Sequence, residues 1–175
     1  MDTAAELFYR DGVDAVTVER LANEAGVTKP TVYNLFGSKD ALVAQAFEHR
    51  AQQIRDDIEE RIAPFDDPGR KLLELLEVHA DMLTSDGFRG CPLVVAAIQA
   101  PDSDEATRLA EAHKQWLQTT MSRLARRAGY RSPDTLSWAL LFLLEGAAAM
   151  SVVTPPSVIV RHARAAGRAI LNAHM

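Results

Sequence analysis

A chain of 175 residues with 47% apolar side chains can bury a core of domain size, which excludes a disordered polypeptide. Its single cysteine, Cys91, excludes an intrachain disulfide framework, and a net charge of −5 argues against unspecific attraction to nucleic acid along a broad basic surface. The most apolar run, Trp138 to Val153, is interrupted by Glu145 and Gly146 and falls short of the ~20 residues of a bilayer span, so it reads as a buried helix. With no basic-then-apolar leader at its start, the chain is expected in the cytoplasm.

Apolar residues recur at three- and four-residue spacing almost throughout, which predicts an all-α protein of about nine helices. Ala4, Leu7 and Phe8 form the inner face of a first helix, ended by Gly12. Thr17 is the expected N-cap of a second helix, with Val18, Leu21, Ala22 and Ala25 inward and Gly26 as its stop. Thr28 caps a third helix, Pro30 fits its first turn, and Phe36 closes it. Ser38 caps a long fourth helix that can run to Pro64. After "PFDDPG" a fifth helix carries the stripe Leu72, Leu75, Leu76, His79, Met82 and Leu83, and "SDGFRGCP" breaks it. A short helix from Pro92 to Gln99 precedes the loop "APDSD". Then comes a long helix from about Glu105 to Ala128, with Leu109, His113, Trp116, Leu117 and Leu124 inward. "GYRSPD" turns the chain into an eighth helix, Pro133 to Val153, and a ninth, Pro155 to Asn172.

The second and third helices, joined through Gly26, have the dimensions of a helix-turn-helix. With Val32, Leu35 and Phe36 expected to point inward, Thr28, Lys29, Thr31, Tyr33 and Asn34 are left outside, and Pro30 sits at the tip. Hydroxyl and amide groups in that arrangement suit base edges and phosphates in a major groove, and Pro30 suits a thymine methyl. Tyr33 and Lys39 are expected to reach phosphates, and the amides above the caps Thr17 and Ser38 to add anion contacts from the backbone.

The stretch "AAELFYRDGVDAVTVERLANEAGVTKPTVYNLFGSKDAL" resembles the DNA-binding domain of the TetR family of bacterial transcriptional regulators over residues 3 to 47. Both glycines, Thr17, Tyr33, Phe36 and the Ser38-Lys39 pair fall in the family register. The resemblance implies a DNA-binding domain over residues 1–47 and an effector-binding and dimerisation domain over 48–175. It further implies a homodimer on an operator, most often a repressor, released by a small molecule. Pro30 stands where the family commonly has a small residue or glycine, and Asn34 where it often has histidine, so the base preference is this chain's own. Over residues 1–50, Arg10, Arg20, Lys29, Lys39 and Arg50 face eight carboxylates, so affinity is expected to rest on a few placed contacts with a modest salt slope.

In the remainder, an effector cavity is expected with apolar walls from Leu75, Met82, Val95, Ile98, Trp116, Leu117 and Phe142 and polar groups from His79, Gln99 and His113. His79, His113 and Cys91 lack the close spacing of a zinc site, so no metal or other cofactor is expected. Cys91 before Pro92 reads as a small buried residue. Helix eight is apolar on nearly every side. Trp138, Leu141, Glu145, Ala148 and Val152, with Val158, His162, Ala166 and Ile170 of helix nine, are therefore expected to pair with a second copy. Twofold pairing predicts a pseudo-palindromic operator with half-sites about 34–36 Å apart or a multiple of that. The rival reading is an all-α enzyme or ligand carrier whose first helices are scaffold. It finds no nucleophile elbow, phosphate loop or paired carboxylates to support it.

Overall fold

The computed structural model describes residues 1–99 and 104–175. They form nine α-helices: α1 Asp2–Asp11, α2 Val18–Glu24, α3 Lys29–Phe36, α4 Lys39–Ile62, α5 Pro68–Met82, α6 Pro92–Gln99, α7 Asp104–Arg127, α8 Pro133–Met150 and α9 Pro156–Ala173. The loop expected at "APDSD" lies mostly outside the described residues. None of the described helices is long and apolar enough to cross a membrane.

The helix starts follow local chemistry. Thr17 Oγ1 accepts from the Arg20 amide at 3.2 Å, Thr28 Oγ1 from Thr31 at 3.3 Å, and Ser38 Oγ from Ala41 at 3.0 Å. Each satisfies one of the amides that a helix start leaves without a partner. Asp67 Oδ1 does the same for Arg70 at 2.6 Å, ahead of Pro68 in the first turn of α5. At the other end of the eighth helix, Val152 and Val153 fall in a turn beyond Met150 and not on the helix as expected. The approach to Pro155 and Pro156 explains this, since proline disfavours helical backbone in the residue before it.

The chain divides into two compact units, 1–54 with 92–113 and 55–91 with 114–175. In the first, Leu7 and Phe8 of α1, Val16, Leu21 and Ala22 of α2, Val32 of α3 and Leu42 and Phe47 of α4 are all buried. The rings of Phe8 and Phe47 lie 6.3 Å apart at 33°. Outside this core, Arg20 bonds Asp11 at the end of α1 and Glu24 one turn further along α2. Hydrogen bonds from Arg10 and then Arg20 hold the Asp11 carboxyl down at about 2.

In the second unit α9 packs against both α5 and α8. Gly167 makes the approach close, for a Cβ there would meet Leu76 Cδ1 at 3.2 Å and Leu143 Cδ2 at 3.6 Å. One cluster gathers Ala80, Leu83, Ala147 and Val160, with Ala148, Ile159 and Ala163 against it. Lys114 Nζ donates to Glu145 at 2.6 Å. Burial works against that ammonium, yet Cys91 and Glu145 outweigh it and hold its pKa above the usual lysine value.

Candidate nucleic-acid interface

The end of α2 and the start of α3 are tied by backbone alone. Gly26 donates to the Asn23 carbonyl at 3.2 Å and Val27 to Ala22 at 2.9 Å, and Gly26 holds φ at 69°, where a side chain would be strained. This closing turn places α3 across α2 with Val32 as the one fully buried residue of its eight. Around Val32 the surface is polar. Thr28, Lys29, Pro30 and Asn34 are exposed, Tyr33 is 43% exposed, and Thr31 and Lys39 are half-buried. The Thr28 and Thr31 hydroxyls lie 2.8 Å apart, so one of the pair can donate outward while the other accepts. Thr17 is exposed at the start of α2, where its side chain already serves as the cap.

Two residues depart from the expected inward face. Leu35 is 68% exposed and Ala25 is also at the surface. In a helix of 3.6 residues per turn, Phe36 lies about 40° from Val32 on one side and Leu35 about 60° on the other. In so short a helix, a neighbour that covers the Phe36 side leaves the Leu35 side bare. Leu35 thereby joins Tyr33 and Asn34 on the outward surface, a contact group that apolar periodicity hides because leucine in a short helix reads as core.

The family model for "Bacterial regulatory proteins, tetR family" matches residues 1–46, the same segment that forms this surface. The structure of SCO4454, a TetR-family transcriptional regulator from Streptomyces coelicolor, superposes with a TM-score of 0.91 and 25% identity, over 98% of this chain and 92% of that one. Residues 1–46 match the TetR-family model, and the chain as a whole is similar in fold to a TetR-family regulator. Among curated relatives, the HTH-type transcriptional regulator BetI of Brucella anthropi is 27% identical over 79 residues, 45% of this chain. The match spans 41% of BetI's own length. CifR, a TetR-family regulator solved with a 26 bp double-strand operator DNA, shares the fold at a TM-score of 0.79 and 21% identity, over 96% of this chain and 93% of that one.

The residues expected to line an effector cavity are divided between the two units of the chain. In the first unit His113 is buried and Val95 half-buried, but Ile98 is 72% exposed and Gln99 is also exposed. The Gln99 side chain sits about 3.9 Å from where a Cβ on Gly12 would stand, at the end of α1. In the second unit Leu75 and Leu117 are fully buried and His79, Met82 and Trp116 half-buried, whereas Phe142 is 67% exposed. Ile98, Gln99 and Phe142 are therefore surface groups in the single chain. Ile98 and Gln99 stand at the open end of the short α6, and Phe142 lies on the outer side of α8, whose other side fills the core. His79 Nδ1 donates to the Leu75 carbonyl at 2.9 Å, and burial pushes its pKa down, so the imidazole is neutral. Among the described residues, no group of three histidine, cysteine or acidic side chains is placed to hold a metal ion.

On α8, Trp138 is 48% exposed and its ring lies 5.6 Å from that of Phe142. Leu141, expected on the same outward face, is buried at 3% within its own chain. Glu145 is likewise engaged in its own chain, by Lys114. The outward apolar face thus runs through Trp138 and Phe142 toward Met150 and Val152, and on α9 His162 is exposed while Val158, Ala166 and Ile170 are half-buried. Ala148 is half-buried against the internal cluster.

Proposed function

We propose that the protein is a ligand-responsive transcriptional regulator, most simply a repressor, that binds a pseudo-palindromic operator as a homodimer. The observation that carries this reading is the outward surface of α3, where Val32 alone is buried and Thr31, Tyr33, Asn34 and Leu35 surround it. Short donors beside an apolar group match the major-groove edge, where hydroxyls and amides meet base edges and leucine or proline meets a thymine methyl. Tyr33, Lys39, Thr17 and Thr28 serve phosphates and fix the register, while Lys29, Pro30 and Asn34 choose the sequence. CifR, of the same fold, carries operator DNA, which supports this role.

The Trp138 and Phe142 face of α8, with α9 beside it, supplies the twofold contact, because an exposed aromatic patch of this kind marks an interaction surface. A mostly apolar effector taken up in the 48–175 domain, against residues such as Met82 and Trp116, releases the DNA. It does so by binding more tightly to the conformer whose α3 helices are misplaced for the groove.

Selection of bound genomic fragments followed by fluorescence anisotropy tests this. The intact chain should hold one pseudo-palindromic site with nanomolar affinity. Tyr33→Ala and Lys39→Ala should each weaken it about tenfold to a hundredfold with the helical circular-dichroism spectrum unchanged, at about 1–3 kcal/mol per lost contact. Absence of any specific site at low and physiological salt would overturn the assignment.

A further inference from the structure

We infer that the second unit carries a binding groove, between α5 and α9, for a small amphipathic carboxylate. Arg70, Leu73, Glu74 and Glu77 of α5 stand at i, i+3, i+4 and i+7 and so share one flank of that helix. Arg168, Leu171, Asn172 and Met175 repeat the same spacing at the end of α9, and Tyr130, in the turn before α8, closes the groove. The space between the two stripes is about 640 Å³, within the range of about 300–1,000 Å³ usual for small-molecule sites. It lies on a different flank of α5 from the stripe of Leu75, His79 and Met82, so it is not the cavity proposed for the effector.

The charges in the groove do not balance. Glu74 accepts from Arg61 Nε at 2.8 Å and Glu77 from Arg164 Nε at 2.7 Å. Both arginines lie outside the groove lining and also pair with Asp81, so these two cations serve three carboxylates, and Arg70 and Arg168 together leave the group one positive charge in excess. Among the described residues, the Arg70 guanidinium is met only by the Phe65 ring, 5.2 Å from its central carbon. Arg168 has no ion-pair partner among the described residues. Arg168 stands four residues on from Arg164 and Leu73 four back from Glu77, and both line the groove, so one turn along from the Arg164–Glu77 pair the α5 stripe carries a leucine in place of a carboxylate. Two guanidiniums without a carboxylate, the Asn172 amide beside them and a wall of Leu73, Leu171 and Met175 describe one kind of ligand. Its carboxylate takes a charge-assisted, forked pair of hydrogen bonds from arginine, and its hydrocarbon body lies on the apolar wall.

The test uses the full chain with 13C-labelled methionine methyls, titrated with decanoate, 4-phenylbutanoate and the two matching amides. The carboxylates should move the Met175 methyl resonance saturably, and the neutral amides should need at least about tenfold higher concentration. Arg168→Gln should weaken carboxylate binding about tenfold or more, and Asn172→Trp, which fills the groove without removing a charge, should abolish the Met175 shift. Arg161→Gln, elsewhere on α9, should leave it unchanged. No saturable Met175 shift with either carboxylate, amides that bind as well as the acids, or an Arg168→Gln titration identical to that of the unaltered chain would each overturn the inference.

Discussion

Helices α3 and α8 both turn apolar side chains to the outside, and they do so in opposite ways. In α3, eight residues long, a single buried valine anchors a surface of hydroxyls, an amide, a phenol and one leucine. In α8, 18 residues long, six residues are buried and the other side is still apolar, with the Trp138 and Phe142 rings in tilted contact. A polar outer surface on a short, lightly anchored helix keeps its donors hydrated until a partner with fixed acceptors replaces the water. An aromatic outer surface on a long, firmly anchored helix gains only by being covered with another apolar face. The contrast fits the proposed roles, DNA reading for one region and self-association for the other.

The largest effect should come from attacking the aromatic face. Phe142→Lys places a charge where the partner subunit is expected to pack, and because Phe142 is 67% exposed in the single chain the monomer should still fold. Light scattering should report monomers, and operator affinity should fall more than about a hundredfold, since a burial-driven interface does not tolerate an unpaired cation and each subunit then binds its half-site alone. A dimer that survives the change would move the interface elsewhere and end the contrast between the two helices.

A smaller, more discriminating test compares neighbours on α3. Val32→Ala removes buried methyl groups and should lower unfolding free energy by about 2 kcal/mol. Leu35→Ala, on the exposed side, should change it by less than about 0.5 kcal/mol. The order should reverse for operator binding measured at a temperature where both variants are folded. Equal losses of stability would place Leu35 in the core and remove it from the reading surface.

The smallest effect concerns the tie between α1 and α2. The Asp11 carboxyl, held down to about 2 by Arg10 and Arg20 against an ordinary 3.8, favours the folded state at all pH values above its unfolded pKa. Because its folded pKa is the lower one, that contribution is lost as the pH falls from about 4 to about 2. Thermal melts of the intact chain and Asp11→Asn should differ slightly at pH 5 and converge by pH 2. Curves that stay parallel throughout would show that the arginine pairs are neutral to stability, as many exposed pairs are.

Much of the proposed DNA surface was legible before any coordinates, because caps and turns are local. Thr17, Thr28 and Ser38 each bond an amide three residues on, and the turn at Gly26 is closed by the Gly26 amide reaching three residues back and the Val27 amide five. Leu35 was not legible, nor were Leu141, Ile98, Gln99 and Phe142. For each the sequence states that a side chain is apolar or polar and lies on a helix, but which flank a neighbouring helix covers depends on packing. Glu145 is the clearest instance: its pairing with Lys114 joins the consecutive helices α7 and α8 across 31 residues, and no spacing rule reports it.

Residue order alone determined the all-α class, the positions of the helix starts and stops, and the family register of the first 47 residues. Each of these depends on interactions within a turn or two of helix. Tertiary packing decided that Val32 alone anchors α3, that Leu141 turns inward while Phe142 turns out, and that Arg70 and Arg168 line one groove. Those outcomes depend on which helix faces meet and in what register, a choice made by the summed burial of many side chains and not by any one stretch of sequence.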